Sequence, residues 1–92
     1  MTFGRRVFIT GAESGIGEAT ATLLTASGYH VTPEWDNQVD ALVNNLGFIH
    51  RGHFLDLTQS EFLEMLEQSV VHPFLLAQTA FRAMSERGGG RI

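Results

Sequence analysis

The apolar run Val7-Phe8-Ile9, rich in β-branched and aromatic side chains, predicts a strand at the head of the chain. A glycine-rich turn, Thr10 to Gly17, leads into Glu18-Ala19-Thr20-Ala21-Thr22-Leu23-Leu24, where helix formers carry apolar residues at helical spacing. The helix is expected from about Ser14 to Ala26, with Ile16, Ala19, Leu23 and Leu24 on its buried stripe and Gly28 as its stop. Tyr29-His30-Val31-Thr32 reads as a second short strand ended by Pro33, with Tyr29 in a packing role. A third apolar run spans Val39 to Gly47 and closes on Asn44-Asn45-Leu46-Gly47. Phe48 to Leu57 is a surface loop.

Thr58-Gln59-Ser60-Glu61 then matches the capping box that starts a helix. The helix runs to about Met84 or Ser85, its apolar face made of Phe62, Met65, Leu66, Val70, Phe74, Ala77, Phe81 and Met84. Val71, Leu75 and Leu76 widen that face beyond what one sheet needs, so part of it is expected to meet another subunit. Pro73 removes one backbone bond inside the helix and frees the carbonyl of Ser69. Gly88-Gly89-Gly90 ends the helix, and Arg91-Ile92 has the place of a short fourth strand.

The first strand, turn and helix form one chemical unit. Gly11, Gly15 and Gly17 remove the Cβ atoms that would keep a ligand or a neighbouring strand off the backbone. The free amides and dipole of the helix start favour an anion over the turn, and a pyrophosphate fits. The plainer reading is a turn that only tightens a βα unit. Glu34-Trp35-Asp36 lies at the tip of the second strand, about 20 residues past the glycines, where an acidic residue binds ribose hydroxyls in dinucleotide-binding units. Asn44, Asn45 and Gly47 sit at the carboxyl end of the third strand, where α/β sheets bind ligands, or they serve only to satisfy loop amides. His50 and His53 have no carboxylate or cysteine cluster beside them in the sequence and read as loop residues, with no metal expected.

Composition narrows the class. Ninety-two residues make one small domain, 1–92, marginal alone and helped by association. A net charge of −4 gives no reason to expect nucleic acid. The absence of cysteine, of a signal-like apolar start and of a ~20-residue apolar span suits a cytoplasmic protein without a membrane segment. There is no lysine, the six basic residues are all arginine, and Tyr29 is the single tyrosine.

The spacing T-G-x-x-x-G-I-G differs from the general G-x-G-x-x-G fingerprint and resembles the nicotinamide-binding turn of the short-chain dehydrogenase/reductase family. Asp40-Ala41-Leu42-Val43-Asn44-Asn45-Leu46-Gly47 resembles the family's D-x-L-V-N-N-A-G segment, with Leu46 in place of alanine. Residues 5–32 look like the family's first strand, first helix and second strand. Residues 39–92 look like its fourth strand, long interface helix and the opening of its fifth strand. Pro33 to Gln38 replaces the helix, strand and helix that should join them. Six residues reach at most ~20–22 Å, and a return along a five-residue strand with a step across two strand positions needs about 20 Å. The crossover is therefore expected to be nearly extended. The fold expected is α/β, a minimal Rossmann-like three-layer arrangement with a small parallel sheet in the order second, first, third.

The resemblance implies NAD(H) held by Gly11, Glu13, Ser14, Gly15, Ile16 and Gly17, by the Glu34-Trp35-Asp36 tip, and by Asn44, Asn45, Leu46 and Gly47. Family register puts the acidic position nearest Trp35 and leaves Glu34 and Asp36 both open. The acidic tip, and Ser14 preceded by Glu13 where NADPH-preferring members carry a basic residue, favour NAD(H) over NADP(H). The family's catalytic serine, tyrosine and lysine have no counterparts in these residues, and its catalytic asparagine aligns with Ser69. Carbonyl reduction by the family mechanism is not expected of this chain. NADH oxidation by small acceptors that need no positioned acid (quinones, flavins, redox dyes) is, as a diaphorase-like activity. Two alternatives stand beside it. One is a non-catalytic dinucleotide-binding or interaction module pairing through its long helix; the other is a truncated gene product that binds nothing. A homodimer or homotetramer through helix 58–85 and the exposed sheet face is expected.

Overall fold

In the computed structural model, which describes residues 5–92, three short strands form a parallel sheet: β1 (Arg6–Ile9), β2 (His30–Thr32) and β3 (Ala41–Val43). Their order is β2-β1-β3, with Val7 beside Val31 on one side and beside Ala41 on the other. Alternation along β1 divides the core between two faces. Val7 and Ile9, both buried, share the face of Val31, which lines a groove with Ala21, Thr25 and Ala26 of α1 (Gly15–Ala26). Phe8 and its neighbour Leu42 turn to the other face, where Val39, Ala80 and Met84 are buried with them and Trp35 and Leu76 close the edges. That is the three-layer arrangement, reduced to three strands.

The second helical layer is one continuous rod: α2 (Gln59–Leu66), a π-helical turn (Glu67–Val71) and α3 (His72–Glu86). Thr58 starts it with the expected capping box, its hydroxyl accepting from the Glu61 amide at 3.1 Å and its own amide donating to Glu61 Oε1 at 3.0 Å. Only the C-terminal half of α3 packs into the core. Residues 59–72 overshoot the strand ends, by ~20 Å at 1.5 Å per residue, and the molecule measures 56 × 29 × 15 Å. No helix of the described residues is long and apolar enough to cross a membrane.

Four expectations are corrected. The crossover 33–38 is bent rather than extended, with a turn at Asn37-Gln38. The strands are three or four residues long, not five, so the return from Thr32, opposite Phe8, to Ala41, opposite Val7, is short. The third strand ends at Val43, leaving Asn44 to Gly47 as loop. Of the stripe expected for α1 only Leu24 turns inward: Ile16 is 77% and Leu23 68% exposed, and Ala19 is exposed too. The buried side is Gly17, flanked by the partly buried Thr20, Ala21 and Leu24. The face of the long helix is, as expected, wider than the sheet covers. Met84 is buried and Ala77 half-buried, while Phe62, Leu66, Val70, Phe74 and Phe81 are exposed.

Two arginine clasps hold the short crossover. Arg6 Nη2 donates to Asp36 Oδ2 at 2.6 Å. Arg87 donates to Asp40 Oδ1 at 2.9 Å and to the Val39 carbonyl at 3.0 Å. The fourth strand is a single bridge: the Arg91 amide donates to Asp40 O, and Leu42 donates to Arg91 O at 2.9 Å. Tyr29 lies at the far end of the sheet with the Arg5 guanidinium over its ring.

Candidate functional site

β1 delivers the chain to the glycine turn at the carboxyl edge of the sheet. Gly11 and Gly15 take the left-handed conformation, φ +67° and +59°, which a side chain would strain. Around Gly15 nothing lies within 4 Å of where a Cβ would stand, so the outer side of the turn is open. At Gly17 the opposite holds, since a Cβ there would overlap the Gly11 carbonyl oxygen and crowd Asn45. The helix start thus closes directly on the turn. The first bond of this helix runs from the Glu18 amide to the Ser14 carbonyl at 3.3 Å. The amides of Gly15, Ile16 and Gly17 are left at the N-terminus, beside a Ser14 hydroxyl that makes no capping bond. Glu13 is exposed at the outside of the turn. An open backbone, unpaired amides and the positive end of a helix dipole are what a pyrophosphate requires. The turn fits that group.

The second wall is the loop after β3, and Thr10 joins it to the turn. The Thr10 hydroxyl accepts from the Asn45 amide at 2.8 Å and the Leu46 amide at 2.9 Å, and its hydrogen is directed at Val43 O. Asn45 Nδ2 donates to Gly11 O at 3.4 Å, and Leu46 packs against Gly11. Asn45 and Leu46 are therefore brought to the glycine turn. Asn44 points elsewhere, its side chain donating to Pro73 O at 3.0 Å. Gly47 faces Ser69. Ser69 accepts from the Phe48 amide at 3.0 Å and donates to Phe48 O at 2.9 Å, so its hydroxyl is spent on the loop backbone.

The acidic tip separates into three roles. Trp35 is packing: its ring meets Phe8 edge-on, with centroids 6.4 Å apart. Asp36 is drawn toward the start of β1, the sheet end opposite the turn, with Oδ1 accepting from Gln38 N and Oδ2 from Arg6. The Gln38 amide, then the Arg6 guanidinium, hold its carboxyl below the ordinary 3.8. Glu34 is exposed, two residues past the end of β2, and its carbonyl accepts from the buried Thr32 hydroxyl. Of the three, Glu34 is the acid that stays at the carboxyl edge. Sequence reasoning passed over Thr10, although a hydroxyl immediately before the first glycine, facing a strand that ends in amides, was the available signal.

Residues 32–92 match the sequence profile of the short chain dehydrogenase family. An uncharacterized oxidoreductase of Thermotoga maritima is 26% identical over 130 aligned positions, covering 97% of this chain and 52% of that protein. A match of 130 positions to a chain of 92 residues means the Thermotoga protein carries segments inside the matched span that this chain lacks. A 2-dehydro-3-deoxy-D-gluconate 5-dehydrogenase of Bacillus subtilis is 39% identical over 57 residues, 62% of this chain and 22% of that one. Among solved structures, a short-chain dehydrogenase/reductase from Burkholderia xenovorans superposes with a TM-score of 0.69 at 24% identity, over 95% of this chain and 53% of that chain. The chain spans about half the length of the Thermotoga and Burkholderia proteins, and the structural likeness speaks for the fold alone.

Proposed function

The chain belongs to the short-chain dehydrogenase family, and from that premise we propose that it binds NAD(H) at the glycine turn and passes reducing equivalents to small acceptors. The observation that carries this reading is the turn itself, open at Gly15 and closed at Gly17, with free helix amides beneath the opening. Gly11, Gly15 and the amides of Ile16 and Gly17 would hold the pyrophosphate, with the Ser14 hydroxyl as a further donor. Glu34 would accept from the adenosine ribose hydroxyls, and with Glu13 it would repel an additional phosphate there, favouring NAD(H) over NADP(H). Asn45 and Leu46 would form the wall beside the nicotinamide half. When bound, NADH supplies a hydride, and a quinone acceptor takes that hydride and one solvent proton to become a quinol. The chain's part is to bind and orient. These residues hold no lysine, Tyr29 is at the far end of the sheet, and Ser69 is bonded to Phe48, so the acceptors proposed for them are those that need no positioned acid. The cytoplasm, where NADH is available, is the setting that fits a cysteine-free chain.

The test is a fluorescence titration with NADH and, in parallel, NADPH, followed by a quinone or tetrazolium dye in the same cuvette. Saturable binding that favours NADH and weakens about ten-fold or more in Gly15→Val is expected, with dye-dependent loss of NADH. A folded protein that binds neither nucleotide would overturn the proposal.

A second reading rests on the exposed apolar residues of the rod, Phe62, Leu66, Val70, Phe74 and Phe81. These favour an interaction module that pairs through its long helix, as a homodimer or homotetramer. NADH binding without dye reduction would select it over the enzyme.

A further inference from the structure

The sheet has two edges, and only one of them is closed. Beyond β3, Arg91 adds a bridge, its amide donating to Asp40 O and its carbonyl accepting from Leu42. Beyond β2 no strand follows among the described residues. The ladder shows which groups this leaves open. His30 donates to Arg5 O at 2.7 Å, so in the parallel pattern His30 and Thr32 turn their backbone groups to β1. The amide and carbonyl of Val31, between them, point outward. The flanking outward positions have no amide to offer: Tyr29 N is committed to Leu24 O at 3.0 Å, and Pro33 has no N–H. The edge thus presents one free donor, with the acceptor of the same residue beside it.

A second copy of β2, antiparallel to the first, fits this edge without leaving a donor unpaired. With a two-fold axis at Val31, the two valines exchange both of their backbone hydrogen bonds. Two residues further along, Pro33 of each copy comes opposite Tyr29 of the other, so the position without a donor faces the donor already in use. Opposed residues share a face of the sheet, and both Val31 side chains therefore fall toward α1. The groove there is lined by the small side chains of Ala21, Thr22, Thr25 and Ala26, which leave room for a neighbour.

Charge selects the same arrangement. Arg5 is exposed at the amino end of the sheet, its guanidinium over the Tyr29 ring and close to Gly28, where a Cβ would stand 3.3 Å from Nη1. Glu34 is exposed past the carboxyl end of β2, and Glu18 is exposed in the first turn of α1 at that same end. Antiparallel pairing sets the carboxyl end of each β2 against the amino end of the other. Continuing the register brings Glu34 of one copy opposite Gly28 of the other, and so toward its Arg5. Symmetry makes this contact twice, whereas a parallel partner would set like charge beside like.

We propose that the outer edge of β2 is a self-association surface, where a second copy of this chain pairs antiparallel through Val31 and joins the two sheets into one. This surface is separate from the exposed phenylalanines of the rod, and it does not rest on the NAD(H) reading.

The chain has no cysteine, which allows a direct test by cross-linking. The full chain carrying Phe81→Glu, in which pairing through the rod is suppressed, is prepared with Val31→Cys or Ile16→Cys added. Paired at the axis, the two Val31 positions would have Cα atoms about 5.5 Å apart, inside the range a disulfide spans. Ile16 is exposed and no part of the groove. Mild oxidation should give covalent dimer at least about ten-fold faster from Val31→Cys than from Ile16→Cys. In sedimentation without oxidant, Arg5→Glu and Glu34→Arg should each weaken the dimer about ten-fold, and the two reversals together should restore it. A Phe81→Glu chain that stays monomeric at all concentrations would overturn the proposal. So would cross-linking no faster at Val31 than at Ile16, or a double reversal as weak as the single ones.

Discussion

The Thr10 hydroxyl takes two amides from a loop 35 and 36 residues further on, and so ties the end of β1 to the end of β3. At the other end of the sheet the equivalent task falls to charge, through Arg6 with Asp36 and Arg87 with Asp40. Asp36 and Glu61 have folded pKa values below their ordinary 3.8 and 4.5, the first chiefly through the Gln38 amide and the second chiefly through the Thr58 amide. The sign follows directly. In acid the unfolded chain binds these protons more readily than the folded one, so their stabilisation is present above the ordinary values and is lost as pH falls through the depressed ones. Denaturant midpoints should be level from pH 7 to about 5 and decline below about 4, and Asp36→Asn should lower the midpoint at pH 7 while making the acid decline shallower. An acid decline as steep in Asp36→Asn as in wild type would refute the assignment to this residue. At this scale the glycines were readable because their spacing has one geometric meaning. Asp36 was not, because a carboxylate beside a turn looks the same in sequence whether an arginine claims it or a ribose does.

Elements were legible where a local rule fixes them. The capping box at Thr58 needs only residues 58 to 61, and it forms with both reciprocal bonds. Thr58→Ala should cost about 1 kcal/mol and lower Tm by about 4–8 °C in a thermal melt. The three strands were likewise implied by apolar runs separated by turn signals, while their parallel order came from the family resemblance and matches the sheet observed. The inward face of α1 was not. Periodicity selects the greasier side, Ile16-Ala19-Leu23, whereas the helix is oriented by Gly17, the one position that lets it sit on the Gly11 carbonyl. Close approach overrode hydrophobicity. Pro73 announced a break in the backbone ladder, but the sequence has no means of saying that the break is absorbed by widening one turn rather than by kinking the rod.

The whole molecule is under-packed for its mass. It exposes 6866 Å² where a compact chain of 10.1 kDa would expose ~5,300 Å², and its radius of gyration is 15.7 Å against about 12 Å for a compact domain of this length. The excess on one chain is about twice the ~800 Å² that each partner contributes to a standard interface, and the exposed phenylalanines of the rod are apolar surface such an interface would cover. Sedimentation at rising concentration should therefore reveal self-association, and Phe81→Glu should shift it toward monomer. A monomer at all concentrations, with the mutant indistinguishable, would count against pairing through the helix. The clasp of Arg87 on Asp40, spanning 47 residues, also orders events in time. The rod, whose contacts are local, can form within microseconds, whereas β1 waits for partners on both sides. The β3 side is clasped only once Arg87 is in place, 47 residues after Asp40. A nascent chain halted short of Arg87 would carry the complete glycine turn without the clasp that secures the crossover at the opposite end of the sheet.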